Sequence, residues 1–62
     1  MCESNVYLIK DEDEKVVMES VDILRQDDDG VYLENLFGEH LKLRARVKEM
    51  NLVNHRILLV SD

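Results

Sequence analysis

Proline and tryptophan are absent from this 62-residue chain, glycine occurs twice and cysteine once. A lone Cys2 cannot close an intramolecular disulfide, and no Cys pair or His/Cys cluster suggests a structural zinc within one chain. No apolar run approaches the roughly 20 residues of a membrane-spanning helix, and no signal peptide precedes the first apolar segment. The expectation is a cytoplasmic protein with a reduced thiol and no membrane partner. There is no glycine-rich phosphate loop, no H-E-x-x-H or H-x-x-E-H pattern and no Ser/His/Asp or Cys/His arrangement. So short a chain also lacks the walls of a deep, water-excluding pocket. It is read as not an enzyme.

Size sets the next constraint. A chain of this length buries only about 60% of the surface its unfolded form exposes, so it is marginal alone. With disulfides and zinc set aside, association is the remaining route to stability, most commonly as a homodimer. A net charge of −6 opposes indiscriminate binding to nucleic acid or anionic membrane, while leaving room for a local basic stripe.

Such a stripe exists, and the rest of the chain reads as strands laid beside it. From Leu41 to Val47 apolar and basic residues alternate without a break. On a strand successive side chains point to opposite faces, so Leu41, Leu43, Ala45 and Val47 share one face. Lys42, Arg44, Arg46 and Lys48 share the other. On a helix the same letters would scatter both sets around the axis. The alternation predicts a strand with one face for a core and one for water or an anion.

Four more strands are predicted. Asn5–Lys10 is rich in β-branched and aromatic residues and apolar on both faces. After the acidic turn Asp11-Glu12-Asp13-Glu14, a second strand enters at Lys15–Met18, bends near Glu19-Ser20 and resumes as Val21–Arg25. Asp29-Gly30 between apolar runs is the clearest hairpin signal, because it suits the positive backbone angles of a tight turn. Val31–Phe37 is the third strand, Gly38-Glu39 turns into the alternating strand, and Met50–Asn54 turns into a last strand, Arg56–Val60. A single helical turn near Val47–Met50 is compatible with the sequence. The reading is one all-β domain spanning 1–62, a small antiparallel barrel of five to six strands in a meander, homodimeric. Curling spares an open sheet its two exposed edges. Apolar residues on both faces of the first and last strands (Val6/Leu8 against Tyr7/Ile9, Ile57/Leu59 against Leu58/Val60) place those strands at the two-fold interface.

The candidate sites are few. The acidic clusters lack the alternating ligands of a calcium loop and read as solvated turns. His40 and His55 sit at strand starts and read as surface residues. The basic stripe invites a single-stranded RNA reading through Lys42, Arg44, Arg46 and Lys48, but none of the stacking candidates Tyr7, Tyr32 and Phe37 interleaves with it. Cys2 stands apart. With Met1 retained, its amine, the deprotonated Cys2 amide nitrogen and the Cys2 thiolate form two fused five-membered chelate rings. With Met1 removed, the Cys2 amine and thiolate still form one. Nitrogen–thiolate donors in a square plane suit Ni(II) or Cu(II), whereas Zn(II) favours a tetrahedron.

Met1-Cys2, Val6-x-Leu8, the Val21/Ile23/Leu24 strand, Leu36-Phe37 and a terminal Ile57-x-Leu59 together resemble the CooT family. The resemblance runs over essentially the whole chain. It implies a compact β-rich homodimer that binds nickel through the cysteine after the initiator, associated with nickel delivery to carbon monoxide dehydrogenase. Some members carry an RNA-binding label. Carried onto this sequence residue by residue, it singles out Cys2 with the Met1 amine beside it. The expected function is therefore a nickel-binding protein, a metallochaperone for a nickel-enzyme client, with Ni(II) shared between two Cys2 residues at the dimer axis. The alternative is the small RNA-binding barrel.

Overall fold

Six strands and no helix make up the fold in the computed structural model, which describes residues 3–61. They are β1 (Ser4–Lys10), β2 (Asp13–Asp27), β3 (Gly30–Asn35), β4 (His40–Leu43), β5 (Ala45–Asn51) and β6 (Arg56–Ser61). All six join one sheet in the order β4-β3-β2-β1-β6-β5, which curls into a half-barrel. The all-β class is as expected, and the count of six reaches the upper end of the five to six expected because one predicted strand divides in two.

Three local features shape the sheet. The β1–β2 hairpin turns on Asp11 and Glu12, both at positive φ (52° and 71°), the backbone of a primed hairpin turn. The predicted bend in the second strand is a bulge: β2 runs unbroken through Ser20 at φ 57°, and its register shifts on both sides of that residue. The β2–β3 hairpin is held by Asp27, whose Oδ1 accepts from the amides of Asp29 (2.8 Å) and Gly30 (3.1 Å).

The alternating stretch departs from the single strand expected of it. Its facing is as predicted: Leu41, Leu43, Ala45 and Val47 are buried or half-buried, and the four basic residues are exposed. Its continuity is not. The chain bends at Arg44, so that β4 pairs with β3 at one edge of the sheet and β5 pairs with β6 at the other. One stretch thus serves both edges and draws them toward each other. Where it bends, its backbone rests on Gly30: a Cβ there would lie 2.0 Å from the Leu43 carbonyl oxygen. The approach also brings β5 against β3, and the Val47 amide donates to Gln26 Oε1 at 3.0 Å.

Two further expectations are corrected. The simple antiparallel meander is interrupted, because β6 lies parallel to β1, with Val6 opposite Ile57 and Leu8 opposite Leu59. Antiparallel pairing holds in the other four ladders. The segment offered as a helical turn continues β5 to Asn51, and the turn falls at 52–55. Pairing of Met50 with Ile57 and Asn51 with Arg56 satisfies that backbone as a ladder.

The core is the concave side: Val6, Val21, Val31, Leu33, Ala45, Ile57 and Leu59, with Leu8, Val17, Met18, Leu24, Leu43 and Val47 packed around them. The convex side of β1 and β6 carries Tyr7 beside Leu58 and Ile9 beside Val60, all half-buried. Val16, opposite Tyr7 on β2, is 51% exposed.

Candidate metal centre and basic face

Met1 and Cys2, the expected metal ligands, lie outside the described residues. What the structure describes is the start of the strand that follows them in the sequence. Ser4 opens β1 and is buried. The Asn5 amide donates to the His55 carbonyl at 2.9 Å, and Asn5 Oδ1 accepts from the Ser20 amide at 3.4 Å. The Ser20 carbonyl accepts in turn from the Leu36 amide at 3.1 Å. This ladder crosses one end of the sheet and joins the start of β1, the β2 bulge and the turns before β4 and β6. The bulge was legible as a bend, but its purpose was not: Ser20 at positive φ presents both its N–H and its C=O to flanking segments.

The two histidines separate. His55, at φ 55°, supplies the carbonyl that holds Asn5. His40 opens β4, and its ring stacks on Tyr32 with centroids 6.3 Å apart. Both are exposed. Among the described residues no three His, Asp or Glu side chains stand together as a metal site.

The turn into β4 is built on Asn35. Its Oδ1 accepts from the amides of Phe37 and Glu39 (both 3.0 Å), and its Nδ2 donates to Glu39 Oε1 at 2.7 Å. Asn35 is buried by this network, while Phe37 is 78% exposed above it. A phenylalanine predicted as the end of a strand is instead displayed at the tip of a tight turn.

The basic residues do not form one line. Lys42 is on β4, Arg44 at the bend, and Arg46 and Lys48 on β5 at the opposite edge. Lys42 Nζ lies 3.7 Å from Asp27 Oδ2, and both side chains are more than half exposed, so the pair contributes little to stability. The expectation that no aromatic interleaves with the stripe needs correction. Tyr32 is the ladder partner of Lys42, and the Arg25 guanidinium lies 5.8 Å from its ring centroid. The signal was present in the sequence: a hairpin centred on Phe37 sets Tyr32 opposite Lys42. The Tyr32 hydroxyl donates to Glu34 Oε1 at 2.8 Å, and this bond, with burial and the carboxylate's charge, raises its pKa above the usual tyrosine value against the opposing pull of Arg25. On the convex side of β1 and β6, Arg56 pairs with Glu14 and lies 4.6 Å from the centre of the Tyr7 ring.

A family model described as CO dehydrogenase accessory protein CooT matches residues 1–60. The fold matches a crystal structure assigned to CooT from Carboxydothermus hydrogenoformans, with a TM-score of 0.90 and 36% sequence identity over 98% of each chain. No curated protein matches the chain.

Proposed function

Because the chain belongs to the CooT family of CO dehydrogenase accessory proteins, we propose that it binds Ni(II) through Cys2 and the Met1 amine and carries it to a nickel-enzyme client. In this reading the protein is a cytoplasmic metallochaperone and not a catalyst, and nickel is its cargo. The observation that supports it most is the anchoring of Ser4 and Asn5 just behind Cys2. A chelate made from a chain terminus needs only its last residues ordered when the strand behind them is already fixed.

One terminus offers at most three donors. Two termini brought together across a two-fold axis would offer two thiolates and two nitrogens, an N₂S₂ square plane that suits Ni(II) by geometry. The convex apolar face of β1 and β6, with Tyr7, Ile9, Leu58 and Val60, supports a homodimer that uses the first strand. The reading demands one nickel per dimer, a thiolate-to-metal charge-transfer band, and loss of both in Cys2→Ser with the fold retained. Affinity should fall on acidification, because amine and thiolate must lose protons to bind. One tightly held nickel per chain, or undiminished binding by Cys2→Ser, would refute the shared site.

A second reading has one observation in its favour, the placing of Tyr32 between Arg25 and Lys42. An aromatic flanked by cations is the element of a single-stranded RNA platform, with Lys42, Arg44, Arg46 and Lys48 as phosphate contacts. Asp27 and Glu34 at the same place oppose it. Binding of an unstructured RNA that weakens steeply with added salt, and is lost when the four cations are neutralised, would establish it.

A further inference from the structure

The long strand β2 has two halves with different surroundings. From Val21 to Asp27 it is paired on one side with β3. From Asp13 to Met18 it pairs with β1, and among the described residues no strand covers its other side. Coverage ends at Ser20, where the Leu36 amide takes the last carbonyl. This leaves an unpaired strand edge of about seven residues, roughly 20 Å long. Such an edge presents main-chain donors and acceptors to any extended chain that reaches it.

The edge does not open onto bare solvent. Its residues 16–19 form one wall of a groove of about 570 Å³, whose other wall is Phe37, Glu39, His40 and Leu41. Val17 and Met18 are half-buried there and Val16 is exposed. Phe37 stands over the groove on the turn that Asn35 ties with three hydrogen bonds, so its exposure is imposed by rigid backbone. Acidic side chains, Glu19 and Glu39, line the walls, with Asp11 and Asp13 toward the hairpin end beside Lys15.

We propose that this groove takes an extended segment of a partner protein in which apolar and basic residues alternate, added as a strand to the free edge of β2. Main-chain pairing supplies affinity, the apolar side chains settle against Val17 and Phe37, and the basic ones face Glu19 and Glu39. Charge selects the occupant: the groove is acidic on a chain of net charge −6. A second copy fits less well. Antiparallel pairing of the stretch 13–19 with its own copy, centred on Val16, would set Asp13 of one chain opposite Glu19 of the other, a like-charge pair that destabilises the contact. The proposal does not depend on nickel.

Nitrogen-labelled protein, wild type and Phe37→Ser, is titrated with a blocked pentapeptide of alternating lysine and valine and with its glutamate counterpart. The expected result is slowed amide exchange and shifted resonances confined to residues 15–19 and 36–41 with the lysine peptide, weakened by salt. Phe37→Ser should weaken that binding by about fivefold or more, as loss of an aromatic anchor does, and its exposed position leaves the fold intact. Equal binding of the glutamate peptide, changes centred elsewhere, or no binding at low salt would overturn the proposal. Amides of 15–19 whose protection rises with protein concentration alone would overturn it in favour of a second copy.

Discussion

Replacing Gly30 by alanine tests the join on which the curled sheet depends. Gly30 has φ +139°, where an L side chain is strained, at a typical cost of about 1–3 kcal/mol. The added methyl would also lie 2.0 Å from the Leu43 carbonyl oxygen, 3.0 Å from its carbon and 3.2 Å from Arg44 Cα. All three are backbone atoms at the bend between β4 and β5, so no side-chain rotation relieves the contact. Overpacking of this kind adds about 1–3 kcal/mol. The sum, about 2–6 kcal/mol, is comparable with the whole stability expected of a 62-residue domain, roughly 3–9 kcal/mol. Gly38 is the internal control: it too has positive φ (+83°), but nothing lies within 4 Å of its would-be Cβ. Gly38→Ala should therefore cost only about 1–2 kcal/mol. Urea denaturation followed by circular dichroism gives both values, and the difference between them isolates the contact with the bend. If the two variants lose the same stability to within about 0.5 kcal/mol, the close approach at Gly30 is not what holds the corner.

The β1–β2 hairpin places two carboxylate residues at positive φ, so Asp11→Asn with Glu12→Gly should stabilise the protein by about 1 kcal/mol and raise Tm by about 4–8 °C; an unchanged or lowered Tm would refute the turn assignment. Glu34→Gln should lower the Tyr32 pKa toward the ordinary tyrosine value, read from phenolate absorbance during an alkaline titration. Because the folded-state pKa is raised, the wild type should hold this contribution below the unfolded tyrosine value of about 10 and lose it as pH rises through the folded one. An N₂S₂ site needs no imidazole, so His40→Gln and His55→Gln should both leave nickel affinity nearly unchanged. A fall of about tenfold or more in either would place that ring in or beside the coordination sphere.

The parts of the fold that were legible are those encoded by neighbouring residues. Alternation from Leu41 to Val47 gives the facing of every side chain there, and Asp27–Gly30 gives its hairpin. Each is a local rule of period or turn chemistry. The break at Arg44 is not local: strand propensity runs through it unabated, and the bend arises because Leu43 must reach β3 while Ala45 must reach β6. The parallel β1–β6 pairing is equally invisible to periodicity, which reports faces and not neighbours. Phe37 favours a strand by residue type, whereas the buried Asn35 amide network captures the turn backbone first. Met1-Cys2 is expected to chelate from connectivity alone and lies outside the described residues, while the surroundings of Tyr32 required the register of a hairpin.

The ladder Leu36–Ser20–Asn5–His55 ties the start of β1 to the rest of the sheet. A terminal chelate on a flexible tail would have to order every residue between the metal and the fold, at about 1–2 kcal/mol for each backbone fixed. Here the backbone is committed from Ser4 onward by β2 on one side and β6 on the other. Met1 and Cys2 are themselves the proposed chelate, and only Glu3 stands between them and that committed backbone. The non-glycine residues Ser20 and His55 take positive φ at the two points where segments on either side of β1 meet its start. Strain of this kind persists only where surrounding contacts over-determine it. In the proposed function that strain has a use, since it secures Asn5, three residues along from Cys2 in the sequence.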